Sequence, residues 1–124
     1  MKMPISEILD RYSIAILKRE RADAENSKEI NDLKSEIDKY SKEQYEFINQ
    51  KIKDLIEVNG NIWDLESDIR KGKEGELGLE EVGRRAIKIR EFNKIRITHK
   101  NNVVDYFGEG YKDIKMNHVS SDDK

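Results

Sequence analysis

The chain has 124 residues, 35% of them hydrophobic and 40% charged, with a net charge of −2. That length carries one small core, and the composition suits amphipathic helices with densely charged outer faces rather than a sheet. Near-neutrality argues against a generic coat for nucleic acid or an anionic membrane, so neither is an expected partner.

The absence of cysteine excludes disulfides, thiolate zinc sites and a thiol nucleophile. Only His99 and His118 carry imidazole, which leaves carboxylates as the one route to a metal, and no cofactor is expected. Neither a signal-like apolar run at Met1–Ser6 nor a segment of roughly 18 apolar residues is present, so the expected location is cytoplasmic.

Pro4 is the sole proline, and Ser6 after it is a candidate N-cap. A first helix is predicted from about Glu7 to Asp23, with Ile5, Ile8, Leu9, Tyr12, Ala15 and Ile16 as its apolar face. Asn26 or Ser27 is placed to cap a second helix, with Glu29 close enough for a capping-box contact; Ile30, Leu33, Ile37 and Tyr40 open its stripe. No breaker follows before Asn59-Gly60, so this helix is expected to run on to Arg70, more than about 40 residues and about 60 Å long. The stripe slips by one position around Gln44 to Ile48, which marks a stutter or a bend there. A glycine-rich surface loop is expected at residues 71–78, then a third helix from about Leu79 to Phe107, ended by Gly108 and Gly110.

These elements predict an all-α fold, a long helical hairpin plus an N-terminal helix. Residues 1–110 would form the helical bundle domain, and residues 111–124, from Tyr111 through Ile114 and Met116, an extended segment and loose tail. With the first and third helices lying end to end along the second, much of its apolar surface would stay bare, so either a bend near Gln44 folds the chain into a compact bundle or, as the favoured expectation, a homodimer completes it.

The core stripes carry polar interruptions. Ile48, Ile52, Leu55, Ile62 and Ile69 share a face with Asn59 and Glu66; Val82, Ala86, Ile89, Val103 and Phe107 share one with Asn93, Arg96 and Lys100. Burying an unpaired amide costs a few kcal/mol and an unpaired charge more, so such residues pair with each other, with water or with a ligand. If Ile69 lies level with Val82 in an antiparallel hairpin, Asn59 lies level with Asn93, Arg96 and Lys100 face Leu55 and Ile52, and Glu66 lies near the loop end. A first helix folded back would bring Glu7, Asp10 and Arg11 toward Lys100. The expected cluster is Asp10, Asn59, Asn93, Arg96 and Lys100, with Trp63 and Glu66 nearby.

The segment Asn59-Gly60-Asn61-Ile62-Trp63-Asp64-Leu65-Glu66-Ser67-Asp68-Ile69-Arg70 resembles the pattern N-x-x-[LI]-W-x-x-E-D-x-x-R of small helical proteins from bacteria and phages classed as domains of unknown function. Asn93 and Arg96 match the N-x-x-R that follows in that group, and Ile5 to Arg11 with Lys18, Glu20 and Arg21 is similar to its N-terminal pattern. Ser67 departs from it, standing where the group has an acidic residue. The resemblance implies an all-α fold and these site positions; it carries no activity.

Three functions fit these residues. In the first, Arg96 and Lys100 neutralise a small anionic ligand, Asn59 and Asn93 orient it, and Asp10 or Glu66 holds the cations or acts as a general acid or base. In the second, the polar layer fixes helix register in a ligand-free interaction or oligomerisation module, whose basic third helix contacts an acidic partner. The third is a carboxylate–metal nucleotide hydrolase using Glu7 with Asp10 and Asp64 with Asp68.

Overall fold

The computed structural model describes residues 3–70 and 74–110. Among them are four helices and no strand: α1 (Ile5–Ala22), α2 (Ser27–Ile37), α3 (Lys42–Arg70) and α4 (Glu74–Phe107). The expected tail at 111–124 and Lys71–Lys73 of the expected loop lie outside the described residues.

The expected second helix is two helices, α2 and α3, separated at residues 38–41. The break comes earlier than the stripe slip at Gln44 suggests, and its cause is local. Ser41 precedes α3, and Gln44 reaches back so that its Oε1 accepts from both Ser41 N and Ser41 Oγ, each at 3.0 Å. This S-x-x-Q arrangement supplies the return half of a capping box, the N3 side chain satisfying the N–H of the residue before the helix, and it starts a new helix where apolar periodicity alone would continue the old one.

The caps of the first two helices also differ from expectation. The N-cap of α1 is Pro4, not Ser6, and no side chain of its own first turn caps it. The free amide of Ile5 instead donates to Glu109 Oε1 at 3.0 Å, so a carboxylate from beyond α4 satisfies the N-terminus of α1. Asn26 makes no capping bond to α2; its Nδ2 donates to the Ala15 carbonyl at 3.0 Å and ties the α1–α2 turn to α1.

Because the chain reverses at 38–41, α1 and α3 run in the same direction. Asp10 lies beside Asn59, and Arg21 beside Gly60 and Asp64. Helix α4 runs against both. Against α3 it keeps the register predicted from pairing Ile69 with Val82: Asp68 meets Arg85 at 2.8 Å, Lys51 meets His99 at 3.1 Å, and the Phe47 and Tyr106 rings stack at 3.8 Å. The α4 backbone is helical from Glu74, with one non-helical residue at Gly78 (φ 80°, ψ 157°), so part of the expected glycine loop is helix.

The first and third predicted helices are therefore side by side on α3, not end to end. Ile48, Leu55 and Ile62 of the stripe are buried within one chain, beside Ile5, Leu9, Leu17 and Val103. Ile52 and Ile69 of the same stripe are half-buried. α2 lays Ile30, Leu33 and Ile37 on the same core from the far side of α1, next to Ile8 and Ala15. No helix among the described residues is long and apolar enough to cross a membrane.

Asn59-Gly60 is no break. Both residues are buried inside α3, and a Cβ on Gly60 would lie 3.0 Å from Arg21 Nη2 and 3.6 Å from Leu17 Cδ2. The missing side chain lets α1 approach closely enough for Arg21 to donate to the Gly60 carbonyl at 3.2 Å.

Candidate functional site

Ser6, Asp10 and Ser13 recur at helical spacing on α1 and are all buried, a polar stripe running along the apolar face. Asp10 is its centre, at 2% exposure. The Asp10 carboxylate receives Arg96 through both arms of the guanidinium fork, Nε to Oδ1 at 2.9 Å and Nη2 to Oδ2 at 2.5 Å. Asn59 adds a third donor to Oδ1 at 3.1 Å.

The amide group of Asn59 has two protons, and the second goes to Ser13 Oγ at 2.9 Å. Ser13 passes its own proton to the Asp10 carbonyl at 2.6 Å. One carboxylate thus joins α1, α3 and α4 in a closed network, and the bidentate fork sets the rotation of α4 as well as its distance. One turn away, Lys100 Nζ stands 3.0 Å from Glu7 Oε2, a second link between α4 and α1.

Of the expected cluster, the structure brings Asp10, Asn59 and Arg96 into direct contact and sets Lys100 beside them. Asn93 is half-buried one turn before Arg96 on α4, but the Asn59 protons go to Asp10 and Ser13 and not to Asn93. Trp63 and Glu66 are half-buried on α3, one and two turns beyond Asn59. Ser13 is the member absent from the expected cluster, and its signal is the spacing of Ser6, Asp10 and Ser13 at i, i+4 and i+7, one helix face.

No family model, curated protein or solved structure matches this chain. Its chemistry is therefore read from its own geometry.

The carboxylates that a metal centre would use are turned toward cations from other helices. Glu7 faces Lys100, Asp10 holds Arg96, Asp64 pairs with Arg21, and Asp68 meets Arg85. Among the described residues no group of three or more histidines and carboxylates is placed to hold a metal ion.

Two further polar contacts sit at the α3–α4 seam and the α1 end. Lys51 Nζ is 3.1 Å from His99 Nδ1, and only a neutral ring accepts there; burial first, then the Lys51 charge, hold the imidazole below its ordinary value of 6.5, against the pull of Asp54 and Glu57. Tyr40 donates to Glu109 Oε1 at 2.9 Å, and burial together with that carboxylate and Glu36 pushes its hydroxyl up to about 12.

Proposed function

We propose that this chain is a helical interaction module, in which the Asp10 layer fixes the register of α1 on α3 and α4 and the outer helix faces do the recognising. The observation that carries this is the Arg96 fork. Two of the five guanidinium N–H groups close on Asp10 as a bidentate fork, and Lys100 stands against Glu7. A polar layer matched by its own chain is what a register device requires, because any slip of one helix leaves a buried charge without its partner.

In the competing small-ligand reading an anion that draws the Arg96 fork off Asp10 leaves a carboxylate of 2% exposure without its counter-ion, at a cost of several kcal/mol before any binding is counted. A homodimer is one form such a module can take, and light scattering separates it from the 14.6 kDa monomer.

A thermal-shift panel of phosphates, nucleotides, sugars and carboxylates tests the choice. A ligand at a hundredfold excess over its Kd stabilises by about 2.7 kcal/mol, a shift large enough to see. The interaction module predicts an unmoved melting curve across the panel. Stabilisation by an anion that Arg96→Met abolishes and Arg84→Met preserves overturns it in favour of the ligand site, since Arg84 is exposed and pairs within α4 to Glu80 and Glu81.

A further inference from the structure

The basic run of α4 is largely matched by the chain's own carboxylates. Arg84 and Arg85 pair with Glu80, Glu81 and Asp68, Lys94 with Glu91, Arg96 with Asp10 and Lys100 with Glu7. Arg90 is different. It is half-buried, has no ion pair among the described residues, and its buried Nε finds no hydrogen-bond partner.

Arg11 and Lys18 on α1 are exposed and likewise without an ion pair among the described residues. With Ile14, Ala15 and Glu29 of α2 they line a depression of about 220 Å³. No ion pair joins Glu29 to either cation, and Glu7, one turn before Arg11, is held by Lys100.

Helical spacing puts the three cations on one side of the molecule. Ser13 faces α3 through Asn59, and at about 100° per residue Arg11 and Lys18 lie about 160° and 140° around α1 from it. His99 faces α3 through Lys51, and Arg90 lies about 180° around α4 from it. The Arg96–Asp10 and Lys100–Glu7 links set α4 antiparallel to α1, a register that brings Arg90 level with the stretch from Ile14 to Lys18. All three cations therefore stand on the face of the α1–α4 pair turned away from α3.

Resting on the interaction-module reading, we propose that this face docks an acidic amphipathic segment of a partner protein. Its carboxylates lie on Arg11 and Lys18, about 10.5 Å or two helical turns apart, with an apolar side chain on the half-buried Ile14 between them. A carboxylate on Arg90 supplies the acceptor that the chain itself does not. Charge selects the occupant, because unmatched cations in a chain of net charge −2 confine attraction for acidic segments to this face and repel basic ones from it.

Two labelled 14-residue helical probes test this by fluorescence anisotropy near physiological salt: one carries glutamates seven residues apart flanking a leucine, the other lysines at those positions. The glutamate probe is expected to bind about tenfold more tightly. Arg11→Glu with Lys18→Glu should reverse that preference, whereas Lys42→Glu with Lys53→Glu, exposed on α3, changes net charge equally and should leave it intact. Arg90→Gln should weaken the glutamate probe about threefold or more. Equal binding of the two probes, or an equal effect of the α3 control pair, overturns the proposal. So does tighter binding of a labelled single-stranded DNA 14-mer than of the glutamate probe, which would assign the face to nucleic acid. If both peptides fail while the thermal-shift panel stays unmoved, the docking face falls and the interaction module stands; an Arg96-dependent anion shift removes the module itself.

Discussion

Arg96→Met is the most direct perturbation of the buried layer, because methionine keeps the stem that packs between α1 and α4 while removing the fork. It leaves the Asp10 carboxylate, at 2% exposure, with the Asn59 amide as its side-chain donor among the described residues. Breaking a buried pair from one side costs about 3–5 kcal/mol. The Arg96 side chain is 29% exposed, so water reaches the vacated position and the expected loss is at the lower end, about 3 kcal/mol. Asp10→Asn is expected to cost less, about 1–2 kcal/mol, since the arginine it frees can turn its head to solvent. The double variant removes both charges together and should lose at least about 1.5 kcal/mol less than the two singles added. Urea unfolding followed by circular dichroism reads this directly: at a slope of about 2 kcal/mol per molar, Arg96→Met moves the midpoint down by about 1.5 M. Single effects below about 1 kcal/mol that add in the double variant would refute the buried-layer argument and return Asp10–Arg96 to the class of surface ion pairs.

Protonation of His99 is disfavoured by the fold, so its contribution to stability is present in full above the ordinary value of 6.5 and falls away as pH drops below it; His99→Gln should flatten the acid limb of a stability–pH curve, and NMR titration of His99 should give a midpoint under 6.5. Tyr40 has the opposite sign at the other end of the scale: its folded value of about 12 means stabilisation complete below 10 and lost between 10 and 12, visible as one late tyrosine in an absorbance titration that vanishes in Tyr40→Phe. At Gly60, alanine meets only the far end of a flexible arginine and should change stability by less than about 1 kcal/mol, whereas leucine must displace α1 and should cost about 1–3 kcal/mol or more in thermal or urea melts. Ser41→Ala with Gln44→Ala removes the Ser41–Gln44 capping contacts and should cost about 1 kcal/mol, with amide exchange quickening first at the start of α3.

The helical class, the α3–α4 register and three of the network's members, Asp10, Asn59 and Arg96, are legible in the residues alone. Those follow from local rules: apolar residues three and four apart settle which face turns inward, and once Ile69 stands near Val82 the constant rise of two antiparallel helices carries Asn59, Asn93, Arg96 and Lys100 to their levels. The break before α3 was legible too, in Ser41 and Gln44, but a capping signal is four residues long and easily outweighed by an apolar stripe that continues through it.

The partners follow from how the helices pack. A carboxylate on α1 and a guanidinium on α4 are 86 residues apart, and which of several nearby acids takes the fork depends on how α1 is rotated against α3, which Gly60 permits by close approach. The cap of α1 by Glu109 has the same character, since its donor and acceptor are 104 residues apart and no short window contains both.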